Sequence, residues 1–80
     1  MSRMSARFVA IKLGQSTKWV YDMWQKMGLV VKDKFGDWIV TEAGRQVGGK
    51  MSSGSRLSVP TFEFEKIERM MIDFYNTMKN

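Results

Sequence analysis

Eighty residues carry 13 Lys/Arg against 8 Asp/Glu, a formal charge of +5, with no cysteine and no histidine. That allows one domain and excludes a disulfide framework, a thiolate or imidazole metal site and any catalytic triad built on His. No apolar run is long enough for a transmembrane helix, and "MSRMSARFVAIKLG" lacks the apolar core of a signal peptide. A cytoplasmic protein with no membrane contact and no cofactor is therefore expected.

The charge is unevenly placed. Residues 1–60 hold ten Lys/Arg and four Asp/Glu, while residues 61–80 are nearly neutral. A basic body suits an anionic partner such as nucleic acid. The same charge also keeps a small domain soluble.

In chain order, Ser5 stands at a capping position, and Ala6, Val9, Ala10 and Leu13 recur at helical spacing, which predicts a first helix. Gly14 ends it as a left-handed residue. Ser16 caps a second helix with Val20, Met23, Trp24 and Met27 inward, and Gly28 closes that one. "LVVKDKFGDWIVT" predicts a hairpin over 29–41, with strands at Leu29–Val31 and Trp38–Val40 and Gly36 in the turn. Thr41 caps a short turn, "EAGRQV". "GGKMSSGSR" reads as a Gly/Ser-rich loop and "LSV" as a brief strand, so residues 42–59 are expected to be a short turn and loop.

Pro60 suits the first turn of a helix over 60–79, with Glu63 and Glu65 in its opening turn, favourable to the helix dipole. Its stripe of Phe64, Ile67, Met70, Met71, Phe74, Tyr75 and Met78 is wider than one thin domain readily covers. Part should complete the core. The rest should bury against a second copy, so Ile67, Met70, Met71, Phe74 and Met78, with Tyr75 beside them, are the candidate homodimer residues. The methionines also suit an adaptable protein-binding surface. No internal repeat or second domain is evident.

Two short helices around a tight glycine turn make a helix-turn-helix arrangement. From Ala6 to Gln25 each position meets a physical need. Ala10 is small where the helices cross, Gly14 takes the positive φ, and Val9, Leu13, Val20 and Met23 join the pair. This stretch resembles the DNA-binding helix-turn-helix family. With the hairpin it resembles a winged helix-turn-helix. "LGQSTKWVYDMWQKMGLVVKDKFGDWIVTEAGRQVG" is also loosely similar to the small winged domain of phage antirepressor-type proteins. There a T-x-x-G-x-x-G follows the hairpin, seen here as Thr41, Gly44 and, one place late, Gly48. The likeness covers residues 5–50. Such domains usually carry another helix ahead of the pair. Only four residues precede Ser5, so the C-terminal helix or a partner subunit is expected to complete the core.

The resemblance implies a mainly α protein with a small β-hairpin: a single winged helix-turn-helix domain with a long C-terminal helix. Residues 5–28 form the helix pair, 29–41 the wing, 42–59 the turn and loop, and 60–79 the last helix. It implies sequence-specific binding of double-stranded DNA by a small transcriptional regulator of phage or mobile-element type, without catalysis. The second helix would then enter the major groove. At about 100° per residue its outward face carries Lys18, Tyr21, Asp22 and Gln25, with Ser16 and Thr17 at its N-terminus facing phosphate. Lys18 suits guanine or phosphate, Gln25 suits adenine, and Tyr21 suits phosphate or a thymine methyl. Asp22 repels phosphate. It either accepts from cytosine N4 or pairs with Lys18 or Lys26, each four residues away.

The hairpin tip offers Lys32, Lys34 and Phe35, with Asp33 and Asp37 diluting the charge. Arg7 and Arg45, with Arg3, Lys12 and Lys50, are further candidates for phosphate contacts, which position without specifying sequence. Trp24 and Trp38 read as core and Trp19 as its edge. "GRQVGGKM" approaches a phosphate-binding loop, but Met51 stands where Ser or Thr is required and the surrounding fold has no room, so the match is chance. The acids are scattered and no active site is expected. The alternative function is a protein-binding winged module, an antirepressor or other inhibitor, which Asp22, the hairpin acids and the methionine-rich last helix favour.

Overall fold

The computed structural model describes residues 2–52 and 58–79. Strand β1 (Arg3–Ser5) runs straight into helix α1 (Ala6–Leu13), and helix α2 (Thr17–Lys26) follows a three-residue turn. Strands β2 (Val30–Lys32) and β3 (Trp38–Val40) form a hairpin. Then come a short helix α3 (Glu42–Gln46), strands β4 (Lys50–Met51) and β5 (Pro60–Glu63), and the long helix α4 (Phe64–Lys79). The chain is helix-rich, with two small antiparallel sheets and a C-terminal helix.

The helix pair follows from local chemistry. Gly14 sits at φ 69°, ψ 31°, and its N–H closes α1 on Ile11 O. That left-handed conformation costs a side-chain-bearing residue energy. Ser16 Oγ accepts from Trp19 N at 3.0 Å and satisfies one of the free donors at the start of α2. Ser5 occupies the corresponding position of α1 but makes no side-chain capping bond. It belongs to β1, where it pairs with Thr61.

The second half departs from the helix-and-loop expectation. A three-stranded antiparallel sheet, order β1–β5–β4, occupies part of it. The last helix begins at Phe64, not Pro60, so Glu63 lies in a strand and only Glu65 in the first helical turn. Pro60 opens β5, a position where its missing N–H is tolerated even in a central strand. Lys50 and Met51, expected in a loop, pair with Thr61 and Pro60. Ser58 and Val59 are not strand residues, although Ser52 N donates to Val59 O and extends the β4–β5 pairing. The expectations for residues 53–57 lie outside the described residues.

The core is built by α1, α2, the start of β2, β5 and α4. Ala6, Val9, Ala10, Val20, Met23, Trp24, Leu29, Val30, Phe62, Ile67 and Met71 form one cluster. The larger apolar side chains of such a cluster each contribute roughly 1.5–3 kcal/mol when fully buried, which matters in a domain of this size. Thus the C-terminal helix helps to complete the core as expected, and β5 joins it through Phe62. Trp24 lies at its centre. Its Nε1 donates to Met71 Sδ at 3.3 Å, and its ring meets Phe62 edge-on at 4.8 Å between centroids.

Candidate functional site

The outward side of α2 and the β2–β3 hairpin are joined by a row of aromatic rings. Phe62 of β5 meets Trp24, Trp24 meets Tyr21 edge-on at 5.9 Å, and Tyr21 stacks on Trp38 of β3 at 4.8 Å and 4°. The Lys32 ammonium lies 5.2 Å from the Trp38 ring centroid. The register explains this, since Lys32 and Trp38 are cross-strand partners. Trp38, expected in the core, packs against it half-buried and forms a strap between α2 and Lys32. Burial in this stack raises the pKa of the Tyr21 phenol above its ordinary 10.0.

Around this strap the outward residues of α2 fall as their spacing requires. Thr17, Lys18 and Gln25 are exposed and Asp22 is half-buried. Lys18 Nζ contacts Asp22 Oδ2 at 3.0 Å, so the acid on this face is paired with the base one turn away. Ser16 is exposed but its hydroxyl is engaged in capping α2. Tyr21 is half-buried, with one ring face covered by Trp38.

The hairpin tip is organised by Asp33. Its Oδ1 accepts from Phe35 N at 2.8 Å and from Asp37 N at 2.9 Å, while Gly36 N donates to Asp33 O and Asp33 N to Asp37 O. This is an aspartate holding its own turn. Asp33 therefore has a structural task and does not merely dilute the charge of Lys32 and Lys34. Lys34 and Phe35 flank the tip, with the Lys34 ammonium 5.3 Å from the exposed Phe35 ring centroid.

The remaining cations are not gathered here. Arg7 is exposed on α1. Arg45 is tied to Glu42 Oε1 at 2.9 Å and to Val40 O at 3.4 Å. Arg3 donates to Thr61, and Lys12 lies over Phe64, so both belong to the β5–α4 part of the molecule. Lys50 is exposed on β4. The glycines of the near phosphate-loop match serve packing. A Cβ at Gly44 would strike Leu29 O, and one at Gly49 would lie 2.5 Å from the Phe62 ring. Among the described residues no group of His, Cys, Asp or Glu could hold a metal, and no helix is long and apolar enough to cross a membrane.

The expected dimer stripe is divided by burial. Ile67 and Met71 are 1% and 3% exposed, so they are core residues that a second copy cannot reach. Met70 and Phe74 are partly buried against that core. The apolar surface left open on α4 is Ile72, Tyr75 and Met78. Ile72 and Tyr75 line a groove with Leu13, Gln15 and Trp19 from the α1–α2 turn. Ile72 is not evident from the periodicity because it lies beside the stripe and not in it. Phe8, Ile11, Val31 and Ile39 are further exposed apolar residues that the sequence reading does not single out. For the last two the alternation within each strand was the available signal.

The chain matches no protein-family model, no curated protein and no solved structure.

Proposed function

We propose that this chain is a winged helix-turn-helix protein that binds double-stranded DNA as a small transcriptional regulator. Helix α2 would enter the major groove and the β2–β3 hairpin would act as the wing. The observation that carries this is the Tyr21–Trp38 stack, which holds the lysine-bearing hairpin beside the outward face of α2. A reading helix and a backbone clamp need that fixed relationship. Lys18, Gln25 and Thr17 would meet bases and phosphates, with Lys32 and Lys34 on the sugar-phosphate backbone. Of the three acids that argue against DNA, two have internal partners, Asp22 in Lys18 and Asp33 in its own turn, while Asp37 stays exposed at the base of the hairpin tip. A homodimer through the open side of α4 would match a palindromic site.

A second reading has its own observation. The groove between α4 and the α1–α2 turn exposes Ile72 and Tyr75 on a largely apolar surface. That suits a module engaging a protein partner. Binding to a mixed-sequence duplex over a salt series separates the readings. Steep weakening with salt is expected from phosphate contacts. No binding at low salt would leave the protein-partner reading standing alone.

A further inference from the structure

Phe35 stands apart from the other apolar side chains. At 78% it is the most exposed large hydrophobic residue among those described. It stands at the turn of a hairpin whose three-residue strands are anchored in the body at their far ends by the buried Val30 and Val40. A scattered surface leucine needs no explanation. An aromatic ring at the apex of a prebuilt turn is a different case. Four hydrogen bonds through Asp33 fix the turn: its Oδ1 to the N–H groups of 35 and 37, its carbonyl to Gly36, and its own N–H to Asp37 O. The hairpin is in turn strapped to α2 by Tyr21 and Trp38. The backbone that carries the ring thus has little conformational freedom left to lose on binding.

Its surroundings favour a nucleic-acid occupant over an apolar protein pocket. The neighbour that shares the leading edge is Lys34, whose ammonium lies 5.3 Å from the ring centroid. Asp33 turns its carboxylate back into the turn, and Lys32 stands behind, over Trp38. Asp37 is the opposing charge at the base of the tip. A flat ring with a cation beside it can enter a base step while the cation meets the flanking phosphate.

We propose that Phe35 is a wedge that inserts at a base step, partly unstacks it and bends the duplex. This rests on the DNA-binding reading and extends it, since a wing that only clamps the backbone would leave the duplex straight.

The test uses the full chain and a short mixed-sequence duplex, dye-labelled at both ends, with 2-aminopurine placed at each TA or CA step in turn. The wild type should raise 2-aminopurine fluorescence at a step and shorten the end-to-end distance. Phe35→Ala, at an exposed position that leaves the fold intact by circular dichroism, should bind with an unchanged salt slope. It should bind about tenfold more weakly, the loss of one stacking contact, and show neither signal. Phe35→Leu, another apolar wedge, should keep part of the bend. Salt-dependent binding by the wild type without bending or unstacking would overturn the wedge and leave the DNA reading in place. Persistence of both signals in Phe35→Ala would do the same. Absence of wild-type binding at low salt would remove the DNA reading and the wedge with it.

Discussion

Tyr21 of α2 and Trp38 of β3 stack in parallel, 4.8 Å between centroids, and that contact ties the hairpin to the helix. Aromatic pairs are worth roughly 0.5–1.5 kcal/mol beyond their burial, and Tyr21 also meets Trp24 edge-on. Tyr21→Ala should therefore destabilise the fold by about 2 kcal/mol, with faster amide exchange in residues 30–40, while Tyr21→Phe keeps the stack and nearly all the stability. The Tyr21 phenol adds a pH signature. Its folded-state pKa is raised by burial above 10.0, so the folded chain holds a proton that the unfolded chain releases. Stability is therefore unaffected by this group well below pH 10.0 and falls as pH rises from there through the folded value. Urea midpoints measured either side of the ordinary tyrosine pKa should decline less in Tyr21→Phe than in the wild type.

Asp22 neutralises Lys18 on the outward face of α2. Lys18 is largely solvated and Asp22 about half so, and the pair itself contributes only about a few tenths of a kcal/mol. Its consequence under the proposed function is larger. Asp22→Asn frees a cation and should tighten binding to random duplex severalfold at low salt. The slope of log affinity against log salt should steepen by about 0.9. Lys18→Ala should shift both in the opposite sense. Unchanged slopes in both variants would place the phosphates away from α2.

Met71 supplies the acceptor for the buried Trp24 Nε1. Met71→Leu conserves volume and would by itself be well tolerated. Here it strips the indole of its partner inside the core, so a loss of about 1–2 kcal/mol is expected. Chemical denaturation measures it, and Met71→Leu should cost more than Met70→Leu, whose sulfur has no such task among the described residues.

Gly14 and Gly44 should respond differently to alanine. Gly14 has φ 69° and open space around it, so Gly14→Ala meets only the backbone penalty, about 1 kcal/mol, and Gly14→Asn less. At Gly44 the added methyl would strike Leu29 O and Val40 Cγ1. Gly44→Ala must move a strand or the α3 turn and should cost more, roughly 2–3 kcal/mol. Thermal melts should place Gly14→Asn highest, Gly14→Ala below it and Gly44→Ala lowest.

What the sequence made legible is local. Gly14, Ser16 and Gly36 act within a few residues of themselves, as Thr41 does in capping α3, so the helix pair, the hairpin and the α3 cap could be read, as could the outward face of α2; the bond from the Thr41 hydroxyl back to Gly28 O could not. The sheet could not. Arg3 and Thr61 are 58 residues apart, and no nearby pattern announces that β1 will find β5. Pro60 fits the start of a strand or a helix equally well, and the periodicity of 64–78 drew the helix back over Phe62. On the site, spacing put Tyr21 outward, but only the cross-strand register of Lys32 and Trp38 brings a ring to cover it.

The same gap decides where a second copy could sit. Periodicity gave α4 one apolar stripe, yet Ile67 and Met71 face inward and the open positions are Ile72 (53% exposed), Tyr75 (48%) and, of the expected dimer residues, Met78 (47%). Ile67→Ala should therefore act on folding, at about 2–5 kcal/mol, whatever the oligomeric state. Ile72→Glu combined with Tyr75→Glu should leave the fold intact and abolish self-association, because it puts two charges where apolar contact is needed. Sedimentation velocity over a concentration series reads both variants against the wild type. A wild type that stays monomeric throughout would discard the dimer. The Leu13, Trp19, Ile72 and Tyr75 groove would then be the surface to probe for a different protein.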